Sequence, residues 1–366
     1  MENSNWNSDK LGSVIEIKYG KDHKKLSEGN FPCLGSGGIM RYVDSYLYDD
    51  ESILIPRKGS LNNIMFQDSP FWTVDTMFWS KIDKSKVFPK YLFYQLTLID
   101  YENLNVGSAV PSLTVPVINE IEIQLPPLPE QKAIASVLSS LDDKIDLLHQ
   151  QNQTLEALAE TLFRQWFIEG ENEKRVIYNL HDLVDSVSVK HDFLKNELIF
   201  LNTSDILKGN ILHNNYSSVK DLPGQAKKSI QRKDILFSEI RPANGRWAFV
   251  DFDADDFVVS TKLMVLRSKG ILSPEFLYLY LTQNYIVNEL QLLAEDRSGT
   301  FPQITFDILK KFEISFSSEQ LMQQANEYSV SFLTKISENQ QQIQTLTQLR
   351  DTLLPKLMSG EVRVKL

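Results

Sequence analysis

Two short stretches of this chain place arginine beside a glycine turn, an arrangement in which a planar guanidinium can read the edge of a nucleic-acid base. The first is Ile55-Pro56-Arg57-Lys58-Gly59-Ser60. Arg57 there suits a bidentate contact to guanine O6 and N7, Lys58 and Ser60 suit phosphate oxygens, and Gly59 allows close backbone approach. The second is Phe237-Ser238-Glu239-Ile240-Arg241-Pro242-Ala243-Asn244-Gly245-Arg246-Trp247, where Arg241, Asn244 and Arg246 supply donors around another glycine. Basic clusters accompany both. Lys24 and Lys25, with Lys18 and Lys21, face Asp22 alone; from Lys208 to Lys233 there are six basic residues, among them Lys227, Lys228 and Arg232, against Asp221. Arg41 and Arg297 complete the candidates, the latter opening the polar loop Arg297-Ser298-Gly299-Thr300, as Asn105-Val106-Gly107-Ser108 does in the first half. A solvated turn carries the same residues, so charge alone does not decide.

Catalytic chemistry leaves no comparable pattern. No Gly-Lys-Ser/Thr phosphate loop occurs, and Gly35-Ser36-Gly37-Gly38 lacks the strand–helix context and downstream lysine of one; it reads as a tight turn. The only Pro-Pro, Pro126-Pro127, has no Asn/Asp before it or aromatic after it, as an amino-methyltransferase site would require. The 5 histidines and the single cysteine, Cys33, show no metal-ligand spacing. Glu16-Ile17-Lys18 fits the end of a nuclease carboxylate cluster without the companion acids. The net charge of −10 argues against strong non-specific DNA binding, whereas the lone cysteine and the absence of a long apolar run fit a cytoplasmic chain without a membrane span.

These candidates need a scaffold, and the chain writes one twice. Lys144-Ile145, Gln150-Gln151, Gln153-Thr154-Leu155 and Thr161-Leu162 recur 191 positions later as Lys335-Ile336, Gln341-Gln342, Gln344-Thr345-Leu346 and Thr352-Leu353. The offset holds outside this segment, where Ile121-Glu122-Ile123 faces Phe312-Glu313-Ile314. Residues 1–125 read as an α+β domain, with strands at Ser52–Ile55, Phe71–Val74 and Ile121–Leu125 and a helix opened by Pro89. Residues 171–315 repeat that order, with strands at Asp234–Phe237 and Phe257–Ser260 and a helix opened by Pro274. Residues 126–170 and 316–366 each read as one long helix. Gln131 to Phe167 alone would span roughly 55 Å. The apolar stripes Leu141, Ile145, Leu148, Leu155, Leu158, Leu162 and Ile336, Ile343, Leu346, Leu349, Leu353 are too narrow to stand alone. Antiparallel pairing within the chain, with pseudo-twofold symmetry, is the economical arrangement; an intermolecular coiled coil is the alternative. Trp166-Phe167 closes the first helix with large aromatics that suit a partner subunit or the neighbouring domain equally.

At these residues a family becomes visible. Leu125-Pro126-Pro127-Leu128-Pro129-Glu130-Gln131-Lys132-Ala133-Ile134-Ala135 and Leu162-Phe163-Arg164-Gln165-Trp166-Phe167 resemble the central conserved region of type I restriction–modification specificity subunits. Leu349 to Val362 resembles their C-terminal conserved helix, and the Gly35–Gly38 and Pro56–Ser60 motifs fit their target recognition domains. The resemblance implies two target recognition domains that each read half of a split, asymmetric site in double-stranded DNA. It also implies helices that space them and dock two methyltransferase subunits, with restriction–translocase subunits joining. S-adenosylmethionine, ATP and magnesium would belong to those partners, and this chain would carry no cofactor and no activity alone. One departure is that Glu319-Gln320 follows Ser315-Phe316-Ser317-Ser318 instead of Pro-Pro-Leu-Pro. The competing readings are a fused restriction or methyltransferase enzyme, which would bind S-adenosylmethionine by itself, and a protein-binding helical scaffold, which would be indifferent to Arg57 and Arg241.

Overall fold

The computed structural model describes residues 6–107, 110–167, 176–297 and 301–365. Two compact units emerge, Met1–Leu147 with Gln342–Leu366, and Leu148–Gln341. Each unit takes one globular domain and a stretch of both long helices, so the division falls inside the helices and not at the domain–helix junctions.

In the first domain the order is β1 (Asn7–Lys10), β2 (Ile15–Tyr19), β3 (Phe31–Gly35), β4 (Gly38–Val43), β5 (Ser52–Pro56), β6 (Met65–Gln67), β7 (Trp72–Thr73), β8 (Met77–Ile82), α1 (Pro89–Leu96), α2 (Val115–Asn119) and β9 (Glu122–Leu125); α3 (Leu128–Phe167) follows. The second domain runs β10 (Val176–Asn179), α4 (Leu180–Leu183), β11 (Val184–Val187), β12 (Glu197–Leu201), β13 (Ile206–Leu207), β14 (Asn210–Ile211), β15 (Tyr216–Ser218), β16 (Ala226–Ser229), β17 (Ile235–Ser238), β18 (Trp247–Phe249), β19 (Phe257–Ser260), β20 (Leu263–Ser268), α5 (Pro274–Leu281), α6 (Asn284–Arg297), α7 (Phe306–Leu309) and β21 (Glu313–Phe316), and ends in α8 (Glu319–Met358).

One plan serves both domains. The main antiparallel sheet is β2-β8-β5-β6 in the first and β11-β20-β17-β18 in the second. A second sheet, β4-β3-β7 or β15-β12-β19-β16, contains one parallel pair in each copy, β3 with β7 and β12 with β19. The second domain adds β16 and the β13–β14 hairpin. The central strand is buried on both faces, which is why it reads as an unbroken apolar run. Ile53 and Ile55 point into the core beneath α1, whereas Leu54 points into the core shared with β3 and β7. Ile235 and Phe237 on one side and Leu236 on the other repeat the division. Pro89 and Pro274 sit in the first turns of α1 and α5, where the missing N–H costs no helical bond. Both domains begin and end on a two-stranded antiparallel ladder, Asn7 opposite Leu125 and Val176 opposite Phe316, so each long helix leaves its domain beside the point of entry.

Within each unit the two helices run antiparallel. In the first, Arg350 Nη1 donates to Asp142 at 2.9 Å, and Leu357 and Met358 pack with Ile134 and Leu138. In the second, Trp166 stacks on Tyr328, and Asn339 Nδ2 donates to Asn152 Oδ1 at 2.8 Å. Of the apolar stripes, Ile145, Leu148 and Ile336 are buried, and Leu141, Leu155, Leu162, Ile343, Leu346 and Leu353 are half-buried. Two expectations need correction. Leu158 is 44% and Leu349 45% exposed, off the seam. The buried line on α3 passes through Leu148, Asn152, Ala159 and Phe163, because a helix of 3.6 residues per turn drifts away from a strict heptad stripe. The helix starts also differ. Glu130 is buried against Arg363 and Trp6, and Gln131 bridges the Phe88 N–H and the Pro126 carbonyl, whereas α8 opens with Ser318 Oγ accepting from Leu321 N. Among the described residues no helix is long and apolar enough to cross a membrane.

Candidate nucleic-acid interface

The turn after β5 holds the first arginine motif, and three hydrogen bonds fix its backbone. Arg57 N donates to Thr76 O at 2.8 Å, Leu113 N donates to Arg57 O at 3.0 Å, and Gly59 N donates to Pro111 O at 3.3 Å. Lys58 bridges Ser112, so the polar loop beginning at Asn105 is pinned to this turn. The Gly35–Gly38 turn arrives from the other side: Asn63 Nδ2 donates to Ser36 O at 2.7 Å, and a Cβ on Gly59 would stand 2.9 Å from Ser36 Oγ. Three loops singled out by composition thus meet. Arg57 lies over the Tyr19 ring at 5.4 Å and donates to Asp75 O at 3.3 Å, while Lys58 and Ser60 are exposed. The loop carrying exposed Lys24 and Lys25 leaves from the same end of the domain, where Gly20 N and Lys21 N donate to Met77 O and Thr73 O.

The second domain repeats this frame with other residues in it. Ser238 faces Leu263 as Pro56 faces Met77. Glu239 N donates to Lys262 O at 3.0 Å, Ile304 N donates to Glu239 O at 2.8 Å, and Arg241 N donates to Pro302 O at 3.1 Å. Ile240 bridges Gln303. Position by position, Glu239 stands where Arg57 does, Ile240 where Lys58 does and Arg241 where Gly59 does. The left-handed conformation is kept as well, with φ of 93° at Gly59 and 43° at Arg241.

Around Arg241 the turn is braced. Asn244 N donates to Arg241 O at 2.8 Å, Ala243 N donates to Gln291 Oε1 at 3.1 Å, and Gly245 takes φ of 69°. The β13–β14 hairpin lies against it through Lys208 N to Gly245 O at 2.6 Å and Gly209 N to Trp247 O at 2.9 Å. Asp205 secures the hairpin's base. Burial pulls its carboxyl upward, but the Asn202 N–H, the Ser204 hydroxyl and His213 together hold it below its ordinary value.

Not every basic candidate faces outward. Arg41 donates to the carbonyls of His23 and Leu26 and closes that loop from within. Arg246 donates to Ser204 O and Ile206 O, both at 3.0 Å, anchoring the hairpin. Lys228 donates to Thr261 O and Leu263 O, and burial pushes its ammonium below the ordinary lysine value. Lys227, Arg232, Lys233, Arg241 and Asn244 are exposed. Lys233 precedes β17 and Arg241 follows it, so the basic run and the arginine turn lie at opposite ends of one strand. Lys233 Nζ is 3.3 Å from buried Glu275. The side chains of Arg297 and Phe167 lie outside the described residues, whereas Trp166 is half-buried between Phe163 and Tyr328. Trp79 and Trp247 are buried. Tyr19 was not expected at the site. Lys208, counted in the basic run, sits with Gly209 at the tip of the β13–β14 hairpin, both with positive φ.

Comparison with known proteins is consistent with this duplicated frame. The family described as "Type I restriction modification DNA specificity domain" matches residues 3–157 and again 172–349. The type I restriction enzyme HindI specificity subunit of Haemophilus influenzae is 44% identical over 178 residues, 48% of this chain and 39% of that relative, so the alignment spans about two fifths of its length. The MjaIX specificity subunit of Methanocaldococcus jannaschii is 26% identical over 347 residues, 87% of this chain and 79% of that protein. The crystal structure of the type I restriction–modification S subunit from M. genitalium superposes with a TM-score of 0.71 at 18% identity, covering 98% of this chain and 97% of that one, which shows a shared fold.

Proposed function

Since the chain belongs to the type I restriction–modification DNA specificity family, we propose that it is the sequence-reading subunit of such a complex and performs no chemistry itself. The observation that carries this reading is the paired turn after β5 and β17, where one hydrogen-bonded frame presents Arg57-Lys58-Gly59 in one domain and Glu239-Ile240-Arg241 in the other. Base-edge readout depends on the donors and acceptors a turn presents, so an unchanged frame with changed side chains reads a different sequence. The target is therefore an asymmetric, two-part site in double-stranded DNA with unspecified bases between the parts.

On this reading α3 and α8 hold the recognition domains apart and dock two methyltransferase subunits, with Trp166 and Phe167 at one docking end. Restriction–translocase subunits complete the assembly. S-adenosylmethionine, ATP and magnesium are used by those partners, with adenine as the methyl acceptor. The test is to express the complete system in a methylation-free host and map methylated adenines. One asymmetric split motif is expected; a continuous palindrome, or methylation without sequence preference, overturns the proposal.

A further inference from the structure

We infer that Arg241 is a specificity-determining residue of the second recognition domain, set to read the O6/N7 edge of one guanine in its half-site. The inference rests on the DNA-reading function proposed above and adds a residue and a base to it. Its first support is the internal comparison: the same backbone position, with the same hydrogen bond to a proline carbonyl, is filled by Gly59 in the first domain. A left-handed conformation is free for glycine and unfavourable for arginine. The fold thus has an unstrained solution at this turn, and the second domain carries a strained one.

The second support is what the guanidinium touches. Among the described residues Arg241 makes no side-chain hydrogen bond or ion pair, although it is exposed, while its neighbours Arg246 and Lys262 are both engaged. The third is rigidity. Pro242, the Gln291 contact to Ala243 and the hairpin against Gly245 hold the turn, so little backbone freedom is lost when the fork meets a partner. A planar guanidinium carried on a braced turn matches the O6 and N7 acceptors of guanine. The same fork can also span two phosphate oxygens, so it is loss at one base pair, as against a uniform fall, that tells the two contacts apart.

The test uses the complete complex with wild-type chain, Arg241→Gly and Arg241→Lys, and a panel of duplexes in which each base pair of both half-sites is varied singly. Thermal unfolding of the full chain is measured alongside. Arg241→Gly should unfold at the same or a higher temperature, because it removes the strain. It should also lose about 5- to 150-fold discrimination at a single G·C pair of one half-site, with the other half-site unchanged. Arg241→Lys should lose most of that discrimination too. Full discrimination in either variant overturns the inference, as does a uniform fall across both half-sites with or without a lowered unfolding temperature. A wild-type complex that shows no sequence preference at all overturns the DNA-reading function itself, which separates the two failures.

Discussion

Arginine chemistry in this protein is decided by where each guanidinium finds acceptors. Arg241 faces outward, Arg57 is half-exposed over Tyr19 with one bond to the Asp75 carbonyl, and Arg41 and Arg246 donate to carbonyls of nearby loops. Arg267 belongs to a third kind. Its Nε and Nη2 reach both oxygens of fully buried Asp234 at 2.7 and 2.8 Å, and that pair holds its guanidinium above the usual arginine value. Replacing Arg267 with methionine should leave a buried carboxylate unpaired and destabilise the chain by about 3 kcal/mol in chemical denaturation. An unchanged midpoint would mean that Asp234 is satisfied by the Gln231 N–H alone. None of these roles is written locally. Arg41 and Leu26 are 15 residues apart and Arg246 and Ile206 are 40 apart, so the acceptor that claims each donor arrives only with the fold.

Secondary elements carry the next level of constraint, and polar groups set their registers. Asn152 and Asn339 face each other between α3 and α8, with Asn339 fully buried. Asn339→Leu should strand the Asn152 amide and cost about 1–3 kcal/mol, and adding Asn152→Leu should recover most of that. Additive losses in a urea double-mutant cycle would show that the two amides do not act as a pair. Asp205 gives the β13–β14 hairpin a pH dependence. Because its folded pKa lies below the unfolded one, the stabilisation is present above the ordinary carboxylate range and is lost as pH falls through the depressed value. The protection of the hairpin's amides, measured against their intrinsic exchange rates, should fall on acidification in the wild type, and Asp205→Asn should show the lowered protection already at neutral pH. Some helix and strand positions were legible from β-prone runs and leading prolines, including Ser52–Ile55 and the helices opened by Pro89 and Pro274, whereas α6 and the β13–β14 hairpin were not read. The seam was legible only in part: a leucine stripe at heptad spacing marks the general face, but the helical drift moves Leu158 and Leu349 off it and brings in Asn152, which meets Asn339.

For the molecule as a whole, net charge and local charge oppose each other. A chain of net charge −10 should bind arbitrary DNA weakly when isolated, with Kd no tighter than about 1 μM at physiological salt and an affinity that falls steeply as salt rises. Fluorescence anisotropy on a random duplex at two ionic strengths measures both; nanomolar, salt-insensitive binding would contradict the reading. Duplication, helix length and domain order were determined by the sequence itself, because a 191-residue offset and an apolar period are properties of order along a chain. Tertiary structure alone decided which residues of the two turns correspond. Nothing in Arg57-Lys58-Gly59 resembles Glu239-Ile240-Arg241, yet one set of backbone hydrogen bonds superimposes them and puts arginine at a glycine's position. Backbone bonding conserves geometry without regard to side chains, so the comparison that exposes Arg241 exists only in three dimensions.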